Sequence, residues 1–159
     1  MPSRLGTLAV IAALGGAPAS ACAIEVVTVV PPAIAQVKPG AGTHIALRVV
    51  VNPGYHVQAN PVENPSLIPI TLKMDAAASV SVGEPLYPAA KRLQLLGDSQ
   101  DLVVYDGTFV IVLPLQVGRI ATAGTITLKG TLRYQACDDS HCLFPVTLPI
   151  ALAVTVVER

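Results

Sequence analysis

Two of the three cysteines in the chain lie five positions apart, and their sulfur chemistry is the most informative feature of the sequence. Cys137 and Cys142 are separated by Asp138-Asp139-Ser140-His141. Two thiols this close can pair, but a closed loop of about six residues stabilises a fold by only about 2 kcal/mol. A bridge that contributes so little to stability favours thiol–disulfide exchange over a purely structural role.

Charged side chains stand beside both sulfurs. Asp138 and Asp139 follow Cys137 directly and disfavour a thiolate, whereas a protonated His141 beside Cys142 favours one. Two carboxylates outweigh one imidazole that is only partly charged. We therefore expect a poor spontaneous nucleophile, which suits a relay that reacts only after a partner has docked.

Two other interpretations of the pair remain open from the residues alone. One is a structural disulfide in an exported domain. The other is a metal site, whose ligands would be Cys137, His141 and Cys142 with His44 or His56. Adjacent ligands are awkward in a strand and the sequence has no second C-x-x-C motif, so we expect no metal and no other cofactor.

Composition excludes several classes of function. The 159 residues are 52% hydrophobic and 13% charged, which is typical of a globular chain and not of a disordered one. The formal net charge is zero. A neutral chain lacks the basic surface that nucleic acid binding requires, so we expect no nucleic acid partner.

The first 21 residues have the pattern of an export signal. Arg4 gives a positive start, and residues 5–17 form an apolar run that is too short to span a membrane. Ala19-Ser20-Ala21 then supplies the small residues that a signal peptidase reads. We expect cleavage to leave residues 22–159 as one domain in an oxidising compartment, where disulfides persist.

Cleavage at this point would make Cys22 the first residue of the mature chain. A lipid anchor on Cys22 is the alternative to a free mature protein. The residue three positions before it, Ala19, is smaller than the one that lipoprotein signals prefer. Cleavage without lipidation is therefore the favoured expectation.

Period-two alternation of apolar residues predicts β-strands throughout the mature chain. The clearest runs cover residues 45–51, 126–134 and 146–156, and residues 109–117 form the continuous apolar run of a central strand. Pro114 inside that run predicts a bulge or an exposed edge. Seven or eight short strands between Pro/Gly turns predict an all-β fold, an immunoglobulin-like antiparallel β-sandwich, with an up-and-down barrel as the alternative.

The longest stretch without a strand pattern covers residues 84–101. Loops of this length in compact domains are often functional lids, and mobile surface loops are the alternative. Leu93, Leu95 and Leu96 are apolar and favour a loop that packs against another part of the protein.

Residues 134–145, Tyr-Gln-Ala-Cys-Asp-Asp-Ser-His-Cys-Leu-Phe-Pro, resemble the active-site hairpin of the N-terminal periplasmic domain of the DsbD thiol:disulfide interchange protein family (disulfide bond corrector-like domain). Less specific turn-and-strand motifs occur earlier in the chain, in the same order as in the family. They are Val37-Lys38-Pro39-Gly40, Pro53-Gly54-Tyr55-His56-Val57, Leu67-Ile68-Pro69, Gly83-Glu84-Pro85-Leu86-Tyr87-Pro88, Val104-Tyr105-Asp106-Gly107 and Gly130-Thr131-Leu132-Arg133-Tyr134-Gln135. The resemblance therefore covers nearly all of the mature chain.

The resemblance implies an immunoglobulin-like sandwich with a redox-active cysteine pair. The second cysteine of the family's pair exchanges with partners, which assigns attack to Cys142 and resolution of the mixed disulfide to Cys137. The family domain takes reducing equivalents from a thioredoxin-like domain that a membrane domain supplies. It passes them to periplasmic disulfide isomerases and to thioredoxin-like proteins of cytochrome c maturation. We accordingly expect thioredoxin-like periplasmic partners and a separate membrane electron-transfer protein.

Further residues are expected to act around the cysteines. Those that modulate the site are Tyr134, Asp138, Asp139 and His141. A cap loop covers the site in the family, and by order along the chain it falls between Tyr87 and Gln100. Its candidate residues are Lys91, Arg92, Leu93, Leu95 and Leu96.

The sequence departs from the family pattern at several points. Four residues separate the cysteines where well-known members have five, and Phe144 stands where proline is common. The aromatic signature of the cap and the membrane and thioredoxin-like domains are also missing from the sequence, so we expect partners encoded elsewhere. The alternative function is a non-catalytic binding or assembly module with a structural disulfide.

Overall fold

The computed structural model describes residues 25–30, 32–94 and 101–158, and these residues form strands and loops without a helix. The strands are β1 Val27–Val30, β2 Ala35–Val37, β3 Gly42–Val51, β4 His56–Gln58, β5 Thr71–Met74, β6 Val80–Val82, β7 Lys91–Leu93, β8 Leu102–Asp106, β9 Thr108–Val117, β10 Gly124–Tyr134, β11 Ala136–Cys137 and β12 Val146–Val156. Within these ranges, no helix could cross a membrane.

The strands form three sheets of four strands each. The first has the order β1-β3-β9-β6, the second β2-β12-β10-β5 and the third β11-β4-β8-β7. All pairings are antiparallel except that of β12 with β2. The longest ladders join β3 to β9 and β10 to β12, and they make up the centres of the first two sheets.

Period-two alternation builds the core between the sheets. Along β3, the side chains of Ile45, Leu47, Val49 and Val51 are buried while most of their neighbours are exposed. The same alternation on β9, β10 and β12 adds their inward residues to one continuous apolar cluster, which also includes Val57 from the third sheet. The third sheet, which carries Cys137, is thus anchored in the same core.

The predicted all-β, immunoglobulin-like β-sandwich is confirmed. Each of the four predicted strand runs is a strand, within a few residues at its ends. The alternative of an up-and-down barrel is wrong, because a barrel of that kind pairs strands in sequence order, whereas β3 lies between β1 and β9. The sheets are open, with edge strands on both sides.

Pro114 lies in the middle of β9, opposite His44 of β3. On the other side of β9, Gly83 donates its N–H to the Pro114 carbonyl, and the next pairing is an isolated bridge between Leu86 and Val112. Since Pro114 has no N–H with which to donate a hydrogen bond back to this segment, the ladder is interrupted between these two contacts. Pro114, which predicted a bulge or an exposed edge, therefore lies where the pairing of β9 with the segment after β6 is interrupted.

A tight turn sets the start of β4. Asn52-Pro53-Gly54-Tyr55 closes with a 3.1 Å hydrogen bond from the Tyr55 N–H to the Asn52 carbonyl. Gly54 has a φ of 83°, which fits the third position of a type II turn, and Pro53 fits the second. The turn directs the chain from β3 in the first sheet into β4, beside the cysteine-bearing strand.

The expectation of a strand-free stretch over residues 84–101 is wrong in its described part. Lys91–Leu93 forms strand β7, which pairs with β8, and Leu86 bridges to β9. A strand of three residues with two exposed cations is too short to show an alternation of apolar and polar residues. Charged residues on edge strands are common because they prevent pairing with another chain. Residues 95–100 lie outside the described residues.

Candidate functional site

The two cysteines form a disulfide at one edge of the third sheet. Cys137 ends β11, Cys142 bridges back to it, and their Cα atoms are 3.9 Å apart. The two sulfur-bearing residues differ sharply in access to solvent: Cys137 is 2% exposed, whereas Cys142 belongs to the exposed surface. A partner arriving from solvent therefore meets Cys142 first.

Backbone hydrogen bonds hold the connection between the cysteines in place. The Asp138 N–H donates to the His141 carbonyl at 2.9 Å, and the Leu143 N–H donates to the Ala136 carbonyl at 2.8 Å. The Gln135 side-chain amide adds a third tie, to the Leu143 carbonyl at 3.0 Å. The connection is thus a closed hairpin, and its geometry does not depend on the disulfide alone.

The Asp138 carboxylate closes the hairpin from within. Its Oδ1 accepts the N–H groups of Ser140 and His141, both at 2.7 Å. These two hydrogen bonds lower the pKa of Asp138 below its ordinary value of 3.8. Because its carboxylate accepts two backbone N–H groups of the same hairpin, Asp138 holds the hairpin in shape. It also places a negative charge near the sulfurs.

Strand β4 presents two polar side chains to the disulfide. His56 is the register partner of Cys137, and paired residues project from the same face of a sheet. Gln58 projects from that face too, since alternate residues of a strand point the same way. The Gln58 Nε2 donates to the Cys137 Sγ at 3.9 Å, a distance typical of a weak hydrogen bond to sulfur.

Both polar residues are almost completely buried. His56 is 4% exposed and Gln58 is 0% exposed. Among the described residues, the His56 Nε2 and the Gln58 Oε1 are the buried side-chain atoms without a hydrogen-bond partner. Unpaired buried polar atoms are rare in folded proteins, so two of them beside one disulfide are a distinctive feature of this site.

Acidic residues surround His56 without forming a hydrogen bond that satisfies Nε2. Burial lowers the pKa of His56 below its ordinary value of 6.5, and the carboxylates of Asp139, Asp106 and Asp138 act in the opposite direction. Asp106 faces His56 from β8 and is paired with the Lys91 ammonium. The imidazole is accordingly neutral near pH 7.

The predicted site residues divide into those that the structure brings to the disulfide and those that it does not. Asp138 and His141 lie in the hairpin, and Asp139 is exposed at its tip. Tyr134 is buried in the core, where its hydroxyl is hydrogen-bonded to the backbone of Val27 and burial raises its pKa above the ordinary 10.0. Tyr134 ends β10 in the second sheet, and its modulating role at the sulfurs stays a prediction.

The described part of the predicted cap lies at the other edge of the third sheet. Two strands, β4 and β8, separate Lys91–Leu93 from Cys137, which corresponds to about 14 Å at the usual strand spacing. Arg92 is paired with Glu63 at 2.8 Å, away from the disulfide. Leu95, Leu96 and the proposed lipidation site Cys22 lie outside the described residues.

The metal interpretation gains no support from the geometry. Among the described residues, no group of three His, Cys, Asp or Glu side chains is arranged to hold a metal ion. His44, one of the candidate ligands, lies on β3 opposite Pro114. Strand β3 belongs to the first sheet, whereas Cys137 belongs to the third. Cys137 and Cys142 are bonded to each other.

The sequence alone does not single out Gln58, and it indicates His56 only as an alternative metal ligand. A signal was present, because His56-Val57-Gln58 follows a Pro-Gly turn and alternates polar, apolar, polar. That alternation places both polar side chains on one face of a strand. Only the pairing of β4 with β11 shows that this face is the one that carries Cys137.

A family model described as "Thiol:disulfide interchange protein DsbD, N-terminal" matches residues 26–153. The chain belongs to this family. No curated protein sequence matches the chain. The family membership agrees with the resemblance carried by residues 134–145, and this member of the family bears a cysteine pair.

Two solved structures align with the chain at low sequence identity. The N-terminal periplasmic domain of ScsB from Proteus mirabilis aligns with a TM-score of 0.50 at 14% identity, over 82% of this chain and 44% of that one. The N-terminal domain of Neisseria meningitidis DsbD in the reduced form gives a TM-score of 0.48 at 19% identity, over 74% and 82%. This chain thus spans less than half of the ScsB chain.

Proposed function

We propose that the protein is a periplasmic thiol:disulfide interchange domain that relays reducing equivalents between thioredoxin-like partners through Cys137 and Cys142. The observation that carries the proposal is the unequal exposure of the two cysteines within one disulfide. Membership of the DsbD N-terminal family supports the same chemistry. Exchange requires access to one sulfur and a protected second sulfur that returns to close the ring.

The relay consists of two exchange reactions. A thiolate of a reduced partner attacks the Cys142 Sγ, the Sγ–Sγ bond breaks, and Cys137 leaves with the electron pair. The second thiolate of that partner then attacks the partner's own sulfur in the mixed disulfide, and Cys142 leaves as a thiolate. The partner departs oxidised, and both cysteines of this chain are reduced. In the second exchange reaction, the Cys142 thiolate attacks the disulfide of an acceptor. Cys137 then attacks Cys142, which re-forms the ring and releases the reduced acceptor.

The surface around Cys142 suits a docking protein with an apolar face. Phe144, two positions after Cys142, is 92% exposed. A large exposed apolar side chain beside a reactive disulfide is a natural anchor for a partner, because its burial on binding contributes about 2 kcal/mol or more. Leu143 between them is partly buried against the core and fixes the position of the segment.

Trapping with single-cysteine variants tests the relay. Cys137→Ser leaves the exposed thiol without its resolving partner, so we expect it to accumulate a mixed disulfide with an added thioredoxin-like protein. Cys142→Ser leaves only the buried thiol, and we expect it to accumulate little. Non-reducing electrophoresis and intact mass measure both products.

Both variants should remain folded, since a ring this short contributes only about 2 kcal/mol. Trapping by Cys142→Ser instead of Cys137→Ser would reverse the assigned roles. If the wild-type disulfide resists dithiols and neither variant traps a partner, the pair is structural and the chain is a binding or assembly module.

A further inference from the structure

The two unpaired buried atoms beside the disulfide are both able to accept a hydrogen bond. They are the Gln58 Oε1 and, in the neutral imidazole that carries its proton on Nδ1, the His56 Nε2. Both side chains share a face with Cys137. In the oxidised protein, the sulfur of Cys137 has no proton to offer them. On reduction, Cys137 gains an S–H group, which is the kind of donor that these acceptors lack.

We propose that His56 and Gln58 form a receiving site for Cys137, which hydrogen-bonds the thiol produced when the disulfide opens and exchanges its proton. The inference rests on the proposed function, since it deepens the role of Cys137 as the resolving cysteine. It assigns a chemical role to two residues outside the hairpin. It also gives a reason for two unpaired polar atoms that would otherwise only destabilise the fold.

Opening of the ring uses the site as a donor. When a partner thiolate attacks the Cys142 Sγ, the electron pair of the broken bond goes to the Cys137 sulfur. The Gln58 Nε2–H, already 3.9 Å from this sulfur, stabilises the developing thiolate. The thiolate then takes up a proton from solvent, and the resulting Cys137 thiol donates a hydrogen bond to the neutral His56 Nε2.

Closing of the ring uses the site as an acceptor. The neutral His56 Nε2 takes the proton from the Cys137 thiol, and the thiolate attacks the Cys142 Sγ of the mixed disulfide. The partner leaves as a thiolate with the electron pair of the broken bond. No oxidant or reductant beyond the two exchanging partners is needed.

Charged groups face His56 from strand β8 and from the hairpin between the cysteines. Asp106 of β8 lies opposite His56 and is itself paired with Lys91 of β7. Asp138 and Asp139 approach from the hairpin. These carboxylates favour the protonated imidazole, but burial opposes it with the larger effect, so His56 is neutral and its Nε2 can accept a proton from a nearby thiol.

The first test measures the equilibrium between the disulfide and dithiol forms in glutathione buffers. The variants are Gln58→Met, which keeps the size of the side chain without its polar atoms, and His56→Gln. If the site stabilises the reduced thiol, each variant should shift the equilibrium about tenfold towards the disulfide, which corresponds to about 30 mV. Gln116→Met on β9 and His44→Gln on β3 are the matched controls.

The second test follows ring closure in a single turnover with a chromogenic aromatic disulfide. Cys142 releases the first chromophore, and attack by Cys137 releases the second. His56→Gln should slow the second release on the order of a hundredfold near neutral pH and abolish the decline that protonation of His56 causes at acidic pH. Gln58→Met should slow it about tenfold and keep the pH profile.

Thermal unfolding separates this role from a structural one. Gln58→Met removes an unpaired buried atom, so the oxidised protein should be as stable as the wild type or more stable, while closure is slower. Unchanged glutathione equilibria and unchanged closure profiles in folded variants would overturn the inference, even if the wild type exchanges normally. Failure of the wild type itself to exchange would instead overturn the proposed function.

Discussion

At the scale of single residues, burial gives the two cysteines different chemistry. Cys137 and Cys142 are bonded to each other, yet only Cys142 is exposed. The exposed sulfur can be attacked in line by a partner, whereas the buried one is positioned to act within the molecule. Access to solvent therefore supports the proposed assignment of attack to Cys142, independently of the small effect of neighbouring charges.

His56 predicts a specific dependence of stability on pH. Its pKa in the folded protein lies below the ordinary 6.5, so the unfolded chain takes up a proton first as the pH falls. The contribution of neutral His56 is fully present above about pH 6.5 and is lost as the pH falls through the folded-state pKa. We expect the free energy of unfolding to decrease as the pH falls below about 6.5.

Urea unfolding at several pH values measures this dependence. His56→Gln should remove it, and His44→Gln should retain it. Asp138 does not confuse the result, because its pKa is lowered from 3.8 and its own contribution is lost only at more acidic pH. An identical pH dependence in His56→Gln and the wild type would show that the imidazole does not stay neutral in the fold.

The residues of the site differ in how visible they are in the sequence. The spacing of Cys137 and Cys142 predicts the disulfide, because both members lie within one short segment. Gln58 is 79 positions from the sulfur to which it donates, and only the β11–β4 pairing brings the two together. Local patterns do not encode such a contact, so its discovery required the structure.

At the scale of elements, long strands were predictable and short ones were not. Strands β3, β9, β10 and β12 have 10 or 11 residues each, enough for an alternating or continuous apolar pattern to show. Strands β4, β7 and β11 have two or three residues each, and together with the five-residue β8 they form the sheet that carries the site. Their positions are set by pairing and turns, not by their own pattern.

The cap remains a prediction at this scale. If the segment between Tyr87 and Gln100 shields the sulfurs, replacing Leu93, Leu95 and Leu96 by Ala should speed alkylation of the reduced protein by a small reagent. The reason is access, because thiol chemistry needs a clear approach to sulfur. Leu93 projects from the same face as Cys137, since it continues the register Lys91↔Val104 and Gln58↔Val104.

Rates of alkylation in the folded triple variant decide the question. Arg92→Ala is a suitable control, since Arg92 alternates to the opposite face and pairs with Glu63. Equal rates in the triple variant and the wild type would mean that the segment is a surface loop without a shielding role.

At the scale of the whole molecule, the sandwich provides a rigid support for an exposed reactive hairpin. The core joins inward residues of all three sheets, whereas the disulfide closes a ring of only six residues. Reduction of the disulfide removes about 2 kcal/mol, a small share of a typical stability of about 5–15 kcal/mol. We therefore expect the protein to stay folded when the disulfide is reduced.

Export is a prediction for the whole chain. The mature N-terminus should lie at Cys22 or within a residue or two of it, since Ala19-Ser20-Ala21 is the small-residue site after the apolar run. Intact mass of material from the periplasm measures this. A mass that retains residues 1–21 would contradict export, and a diacylglycerol adduct on Cys22 would identify a lipoprotein.

The redox potential of the Cys137–Cys142 pair tests the central claim most directly. The short ring, the exposed Cys142 and the family of the chain all favour an exchangeable disulfide. Equilibration of the wild-type protein with glutathione buffers, read by intact mass after alkylation, should give a potential between about −230 and about −180 mV, the range of glutaredoxins and disulfide isomerases. A potential below about −300 mV would mark a structural disulfide and contradict the relay.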